Sequence, residues 1–410
     1  MHHVLIIGKV WPEPNSSAAG SRTMQLIGVF IGQGWKVSFA SASRETEFSA
    51  SLDQGIAKYR VQINDAAFDE LLKAIAPTIV LFDQFTTEEQ FGWRVAEHCP
   101  SAMRVLDTID LHCLRNARQE AVRAGRNLED ADLLRSETAK REIACIYRCD
   151  LSLMVSPVEV ELLKTVFAVP AQLVYYLPLF YDVPTEAQTA DWPDFSERHH
   201  FLSIGNFLHE PNWDAVVCLK NEVWPLIRKQ IPKAELHVYG AYAMQKVHAL
   251  HNPKDGFLVK GRADNAHTVM SAARLCLVPL RFGAGIKGKL LDAMLCGTPT
   301  VTTPIGAEGM HKDLPWNGKI VNTAKEFAAA SVALYNNEAE WQNAQQNGLA
   351  LLKEVFSKKT HGALFIEALA QIQNGLEGHR LENFTGNMLS SQSYAATRYM
   401  SLWIEAKNKV

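Results

Sequence analysis

The stretch Pro279-Leu-Arg-Phe-Gly-Ala-Gly-Ile-Lys-Gly-Lys-Leu-Leu-Asp-Ala-Met-Leu-Cys-Gly-Thr-Pro-Thr-Val-Thr-Thr303 reads as strand end, glycine turn, helix, stop and strand. Gly283 and Gly285 permit a tight turn that brings backbone close to a ligand. The helix that follows presents unpaired N–H groups at its start, a natural seat for phosphate. A glycine turn before a helix is common; Lys287 and Lys289 add the positive charge that turns this one toward a diphosphate. Asp292 lies about one turn after Lys289, close enough in helical spacing to share a ligand-facing region. Ile286, Leu290, Leu291 and Met294 form the stripe to be buried, and Gly297 with Pro299 ends the helix.

Outward from this stretch, strand candidates His200–Ile204, Glu235–Tyr239, Phe257–Lys260, Leu275–Pro279 and Thr300–Thr302 alternate with helical patterns at Trp213–Gln230, Ala266–Ala273 and Lys287–Leu295. The first half repeats the alternation. Strands are expected at His3–Ile7, Lys36–Ala40, Ile79–Phe82, Met103–Leu106, Leu151–Val155 and Leu173–Tyr176. Helices are expected at Thr23–Gln33, Phe68–Ala76 and across the long charged stretch Asn116–Ile146. Such alternation implies parallel, helix-covered sheets. Tyr181–Arg198, rich in Pro, Asp and Glu, reads as the linker between two βα domains. Two such domains predict a cleft lined by the carboxyl ends of both sheets. After residue 375 the chain turns polar and closes on an amphipathic segment, Ala395–Asn408, which carries Tyr399, Leu402, Trp403 and Ile404. A helix of that kind docks on a partner or on its own domain.

With 410 residues, 47% apolar and 21% charged, the chain is an ordinary globular one with room for two sizeable cores. A net charge of -3 supplies no global basic field for nucleic acid. The 7 cysteines are scattered, without a CxxC pair, and fit buried thiols in a reducing compartment. Val4-Leu5-Ile6-Ile7 is too short for a secretory apolar region, and nothing approaches the roughly 18 to 20 apolar residues of a membrane span. A cytoplasmic protein is expected, and peripheral attachment at the inner membrane surface stays compatible with this.

The run Gly283–Pro299, together with Pro304-Ile-Gly-Ala-Glu-Gly309 and Ser203-Ile-Gly-Asn-Phe-Leu-His-Glu-Pro-Asn-Trp-Asp214, resembles the donor half of glycosyltransferase family 4 (group 1). The resemblance is concentrated in residues 200 to 310. It implies an α/β chain of GT-B architecture: two Rossmann-like parallel-sheet domains facing across a cleft, with a C-terminal helix returning to the first domain. The boundaries are then 1–185 for an acceptor-side domain, 186–385 for the nucleotide-sugar domain and 386–410 for the returning helix. The implied reaction moves a sugar from a nucleoside-diphosphate sugar to an acceptor that is a glycan, a lipid or a small molecule. The anomeric configuration is retained, and no metal or other cofactor takes part. By resemblance Asp292 holds the ribose, and Gly285, Ile286 and Lys287 meet the phosphates. Gly261 and Arg262 edge the nucleobase, and Gly20 and Ser21 belong to the opposite wall. The family often carries a glutamate eight residues before its second acid; Ala284 stands there in this chain. The family's Arg and Lys pair after the first strand of the second domain is also not evident, and Lys287, Lys289 and Arg281 are the candidates to replace its charge.

A second cluster, Asp107, Asp110, His112 and Arg115, leaves a strand and enters a helix, the usual place for site residues in such sheets. Asp110 and His112 are assigned to the acceptor side and, with Lys289, to catalysis. The bland reading makes them a helix cap and a surface histidine. Arg22 reads equally as a phosphate contact or a solvated helix residue. Glu129-Asp-Ala-Asp132 looks helical rather than metal-binding, and Ser156 with Glu159 resembles a capping box. Two rivals remain. Gly283-x-Gly-x-x-Gly288 is a literal dinucleotide fingerprint with Glu308 roughly twenty residues on, so an NAD(P)-dependent oxidoreductase is one. A non-catalytic nucleotide-sugar-binding protein is the other.

Overall fold

The structure is a computed structural model describing residues 2–52 and 55–408, so the expected outer limits at residues 1 and 410 lie outside the described residues. The first sheet comprises β1 (His3–Gly8), β2 (Lys36–Ser41), β3 (Ala57–Arg60), β4 (Ile79–Asp83), β5 (Met103–Thr108), β6 (Leu151–Met154) and β7 (Val174–Tyr176). Its order is β3-β2-β1-β4-β5-β6-β7, with parallel pairing throughout. The second comprises β8 (His200–Ile204), β9 (Leu236–Tyr239), β10 (Phe257–Gly261), β11 (Ala273–Val278), β12 (Thr300–Thr302) and β13 (Gly318–Ile320). Its order is β10-β9-β8-β11-β12-β13, again all parallel. Both sheets have a doubly wound order. The order in which strands are added reverses between β1 and β4 and between β8 and β11, where ligands sit in such folds.

Continuous apolar strands follow from burial on both faces. Val4 and Ile6 enter one core and Leu5 and Ile7 the other. The strands that carry no such run, β3 and β13, lie at sheet edges, half-exposed and short. The helical stretch at Asn116–Ile146 is three helices, His112–Arg123, Asp130–Leu134 and Glu137–Arg148, interrupted where Gly125 turns left-handed and where Ser136 caps the third. Glu210–Gln230 is continuous but widens into a π turn at Leu219–Val223. Pro225 stands just beyond; it lacks the N–H that an α turn would use there.

The chain crosses between domains twice, side by side: Tyr181 N–H donates to Phe356 O (2.8 Å) and Lys358 N–H to Tyr181 O (2.9 Å). The helix Lys358–Asn374 then adds Phe365 and Leu369 to the core formed by Val4 and Ile6. Arg380, on the short helix Leu376–Glu382, binds both oxygens of Asp150 at 2.7 Å. The last helix, Phe384–Asn408, lies against Phe85–His98 and Glu137–Arg148. This return to the first domain is the one expected from the resemblance. The Tyr394 hydroxyl and the Arg148 guanidinium both donate to Glu88, which is fully buried.

A buried charge that loses its partner has no water to turn to. Glu88→Ala strands the Arg148 guanidinium and should cost about 3–5 kcal/mol in urea unfolding. Leu402→Ala, on the outward face of the last helix, should stay within about 0.5 kcal/mol.

Candidate functional site

Two helix starts from different domains meet at the cleft. Gly288 opens the helix Gly288–Leu295, and Ala18 opens Ala18–Gly32. A Cβ on Gly288 would lie 2.9 Å from the Ala18 Cβ, so the approach depends on the missing side chain. Both starts carry unpaired N–H groups and the positive end of a peptide dipole. Ser17 caps the first-domain helix through Gly20 N–H (3.1 Å), and the Ser21 hydroxyl donates to Pro14 O (2.9 Å). These bonds fold the loop Trp11–Ser17 over that helix start, with Gly20 buried beneath it.

Lys289 sits in the first turn of Gly288–Leu295 and reaches the reversal point of the second sheet. Its Nζ donates to Asn212 Oδ1 (2.7 Å), and a Cβ on Gly205, directly after β8, would lie 2.6 Å from it. Burial lowers its pKa to about 8, and an anion beside it would raise that value again. Lys287 is more deeply placed; its Nζ donates to Gly285 O (2.9 Å), and burial lowers its pKa too. Ile286 packs in a core shared with Val155 and Leu179 of the first domain. Asp292 faces His267, with Nε2 at 3.4 Å, and the carboxylate raises the histidine's pKa.

The other residues expected on the donor side have partners of their own. Arg281 is held by both oxygens of Asp214 and is 45% exposed. Gly261 closes β10, two strands from β8, with its carbonyl accepting from Gly240 N–H. Arg262 lies over the ring of Phe48, a first-domain residue, 4.0 Å from its centroid.

On the opposite wall, Asp110 follows β5 and accepts from Arg115, with His112 Nε2 at 3.5 Å. Burial would push its pKa up, but the charges of Arg115, His112 and His209 outweigh this and hold it below the ordinary carboxylate value. Burial lowers His112 to about 4 against the pull of Asp110, so the imidazole is neutral near pH 7. His209, from the loop after β8, stands close enough to Asp110 for each to act on the charge of the other. Glu142 holds the start of His112–Arg123: its oxygens accept from His112 N–H (2.8 Å) and Cys113 N–H (2.7 Å). The helix therefore takes its cap from a neighbouring helix, and Leu111 at the N-cap position contributes none.

Asp110 and His112, at one helix start, and Lys289, at another, thus come from different domains, and the charges of both act on His209. Sequence reasoning passed over several residues. Glu159 was read as half of a capping box, but Ser156 makes no capping bond and Glu159 reaches the second domain instead. Arg118 pairs across the cleft with both oxygens of Glu308 at 2.7 Å. Asn212 orients Lys289. Arg22 is neither solvated nor free for phosphate: it is fully buried against Asp107 (3.2 Å) and Pro178 O (2.7 Å). Asp132 is occupied by Arg126 and by the amide of Glu129. Among the described residues no group of three or more His, Cys, Asp or Glu side chains is placed to hold a metal ion. Among the described residues no helix is long and apolar enough to cross a membrane. The glycines at 283–288 follow β11, the fourth strand of their domain, whereas a dinucleotide fingerprint follows the first; the oxidoreductase reading is not favoured.

Residues 198–337 match the family model described as glycosyl transferases group 1. Among solved structures, sucrose-phosphate synthase from Thermosynechococcus elongatus superposes with a TM-score of 0.67 at 16% identity, covering 92% of this chain and 100% of that one. HepE from Anabaena, solved in complex with UDP-glucose, gives 0.65 at 12% identity, covering 90% and 100%. A curated relative, an uncharacterized 44.6 kDa protein in the cps region of Klebsiella pneumoniae, is 24% identical over 174 residues. That alignment spans 40% of this chain and 45% of the relative, so less than half of either. Residues 198–337 thus match a group 1 glycosyltransferase family model, within a chain whose fold is that of the GT-B structures it superposes on.

Proposed function

We propose that the protein moves a sugar from a nucleoside-diphosphate sugar to an acceptor hydroxyl, with retention at the anomeric carbon and without a metal ion. The observation that carries this reading is the meeting of the Ala18 and Gly288 helix starts beside the Lys289 ammonium. Two positive dipole ends and an amine facing one spot suit a diphosphate, and suit it more as charge builds on the leaving group. Lys289 is the principal charge partner in this scheme, since Arg281 is already paired with Asp214. Gly285, Ile286 and Lys287 line the phosphate side, and Asp292 takes the ribose. Gly261 and Arg262 edge the base, and Gly20 and Ser21 form the far wall. The anomeric carbon gains oxocarbenium character as the bond breaks, and domain closure keeps water from it.

Asp110 and His112 orient the acceptor. An ionised carboxylate beside a neutral imidazole can accept hydrogen bonds from a sugar or lipid hydroxyl. HepE was solved with UDP-glucose, which puts UDP-sugars first among donors to try. We place a peripheral membrane contact, at the inner surface of a cytoplasmic protein, on the outward face of the last helix. There Phe384, Tyr399 and Trp403 are 76%, 68% and 62% exposed.

Incubation with UDP-, GDP-, ADP- and dTDP-sugars should release nucleoside diphosphate from one class. Lys289→Ala should slow that release by about 10² or more. Near-normal transfer by the variant would remove Lys289 from the mechanism, and binding without release from any donor would favour a binding protein. Anionic vesicles should sediment the wild type more than Tyr399→Ala/Trp403→Ala; equal sedimentation would refute the membrane face.

The acceptor-side cap also predicts a pH effect. Burial raises the Glu142 pKa to about 7, despite the amides of Cys113 and His112. Between its ordinary value of 4.5 and about 7, the folded protein holds a proton that the unfolded chain has released. The associated stability is present below that window and is lost as pH rises through it. Glu142→Gln should flatten the fall in urea midpoint over this range. Part of the slope remains, because burial, with Asp107 beside it, also raises Asp83 to about 7.

A further inference from the structure

One carboxyl oxygen holds the two catalytic-side loops together. Glu159, on the helix Pro157–Thr165, is fully buried, and its Oε1 accepts from Leu111 N–H (3.2 Å) and from Gly285 N–H (2.7 Å). Leu111 directly follows Asp110 in the first domain, and Gly285 lies in the glycine turn of the second. The two amides therefore share one acceptor across the domain boundary. A buried amide without an acceptor costs far more than a solvated one, so the closed arrangement depends on that oxygen. The turn is pressed against the first domain there: a Cβ on Gly285 would lie 2.3 Å from Ile109 O, and Ala284 packs on the first domain's core. A second hold sits close by, where Arg118 donates to Gly283 O (2.8 Å) and to both oxygens of Glu308.

We propose that Glu159 is a positioning residue that fixes the Asp110 loop and the glycine turn in one register, with Arg118 as its partner clamp. Neither side chain needs to touch the reacting atoms. Their role is to let the acceptor-side pair and Lys289 face each other only when the domains are closed. Removing Glu159 frees two amides at once, one in each domain, and water can then enter the seam.

Hydrogen exchange on Glu159→Ala, Glu159→Gln and Arg118→Met tests this in the full chain. In Glu159→Ala, peptides covering 108–113 and 283–287 should lose protection together, by about tenfold or more in exchange rate, the scale of one buried bond to a carboxyl group. Glu159→Gln keeps an acceptor oxygen and should lose less. Arg118→Met should expose 283–287 while leaving 108–113 nearly unchanged. Unchanged protection, or loss in one loop only for Glu159→Ala, overturns the coupling. Should Glu159→Ala fail to fold, Glu159→Gln and Arg118→Met carry the test.

The turnover arm rests on the proposed sugar transfer. There Glu159→Ala should lower kcat by more than it weakens nucleoside diphosphate binding, because Lys289 keeps its bond to Asn212 while only the Gly285 side of the proposed phosphate site is loosened. It should also raise donor hydrolysis relative to transfer. Loss of nucleotide affinity in step with kcat would mark a merely structural role and sink the proposal. If the wild type uses no sugar donor, the functional reading fails, while the exchange experiment still decides the clamp.

Discussion

The glycine turn at 283–285 can lie against the first domain because Gly285 brings no side chain to the contact. Its backbone is left-handed (φ 63°), and the Ile109 carbonyl occupies the space a Cβ would need. Much of the cleft depends on that approach. It sets Gly285 N–H on Glu159, puts Gly283 O within reach of Arg118, and brings Gly288 against Ala18. Any side chain at 285 would meet both strain and collision, and the loops bearing Asp110 and Lys289 would separate.

Charge burial is arranged differently on the two sides of the molecule. Far from the cleft, ionised groups are buried in fixed pairs: Glu88 with Arg148 and Asp150 with Arg380. Such pairs are costly to break and specify where the returning helices sit. At the cleft Lys289 differs from these. Among the described residues it has only the neutral Asn212 as its hydrogen-bond acceptor, and its pKa is depressed by burial. An amine in that state gains from an incoming anion, whereas Arg148 would not. The distinction separates the donor side from the structural charges without reference to any relative.

Much of this could be read from the chain alone. β8 and β12 fall on the expected residues because buried parallel strands are short apolar runs bounded by polar or glycine breaks. The order strand, glycine turn, helix and strand over 273–302 was legible because the glycines and the apolar stripe mark each break. β3 and β13 were not legible, since edge strands are half-wetted and lose the apolar signature. Glu159 was hidden for another reason. Its spacing from Ser156 mimics a cap, and only the tertiary contact with Gly285 reveals what the carboxyl does. Arg22 likewise reads as a surface cation until Asp107 and Pro178 are seen to enclose it. Sequence patterns report a residue's own element; they do not report which element lies opposite.

The two crossings at Tyr181 and Phe356 explain why contacts at the cleft have to be specific. Hydrogen-bonded side by side, the crossings join the domains along one narrow line. A joint of that kind restricts sliding but permits opening, as interfaces within a chain commonly do. Resistance to opening must then come from the far side of the joint. There the structure offers a small set of polar holds and the shared packing of Ile286 with Val155 and Leu179. Separate polar contacts of this kind can be broken and remade, which the proposed sugar transfer would require of a cleft that opens for a donor and closes against water.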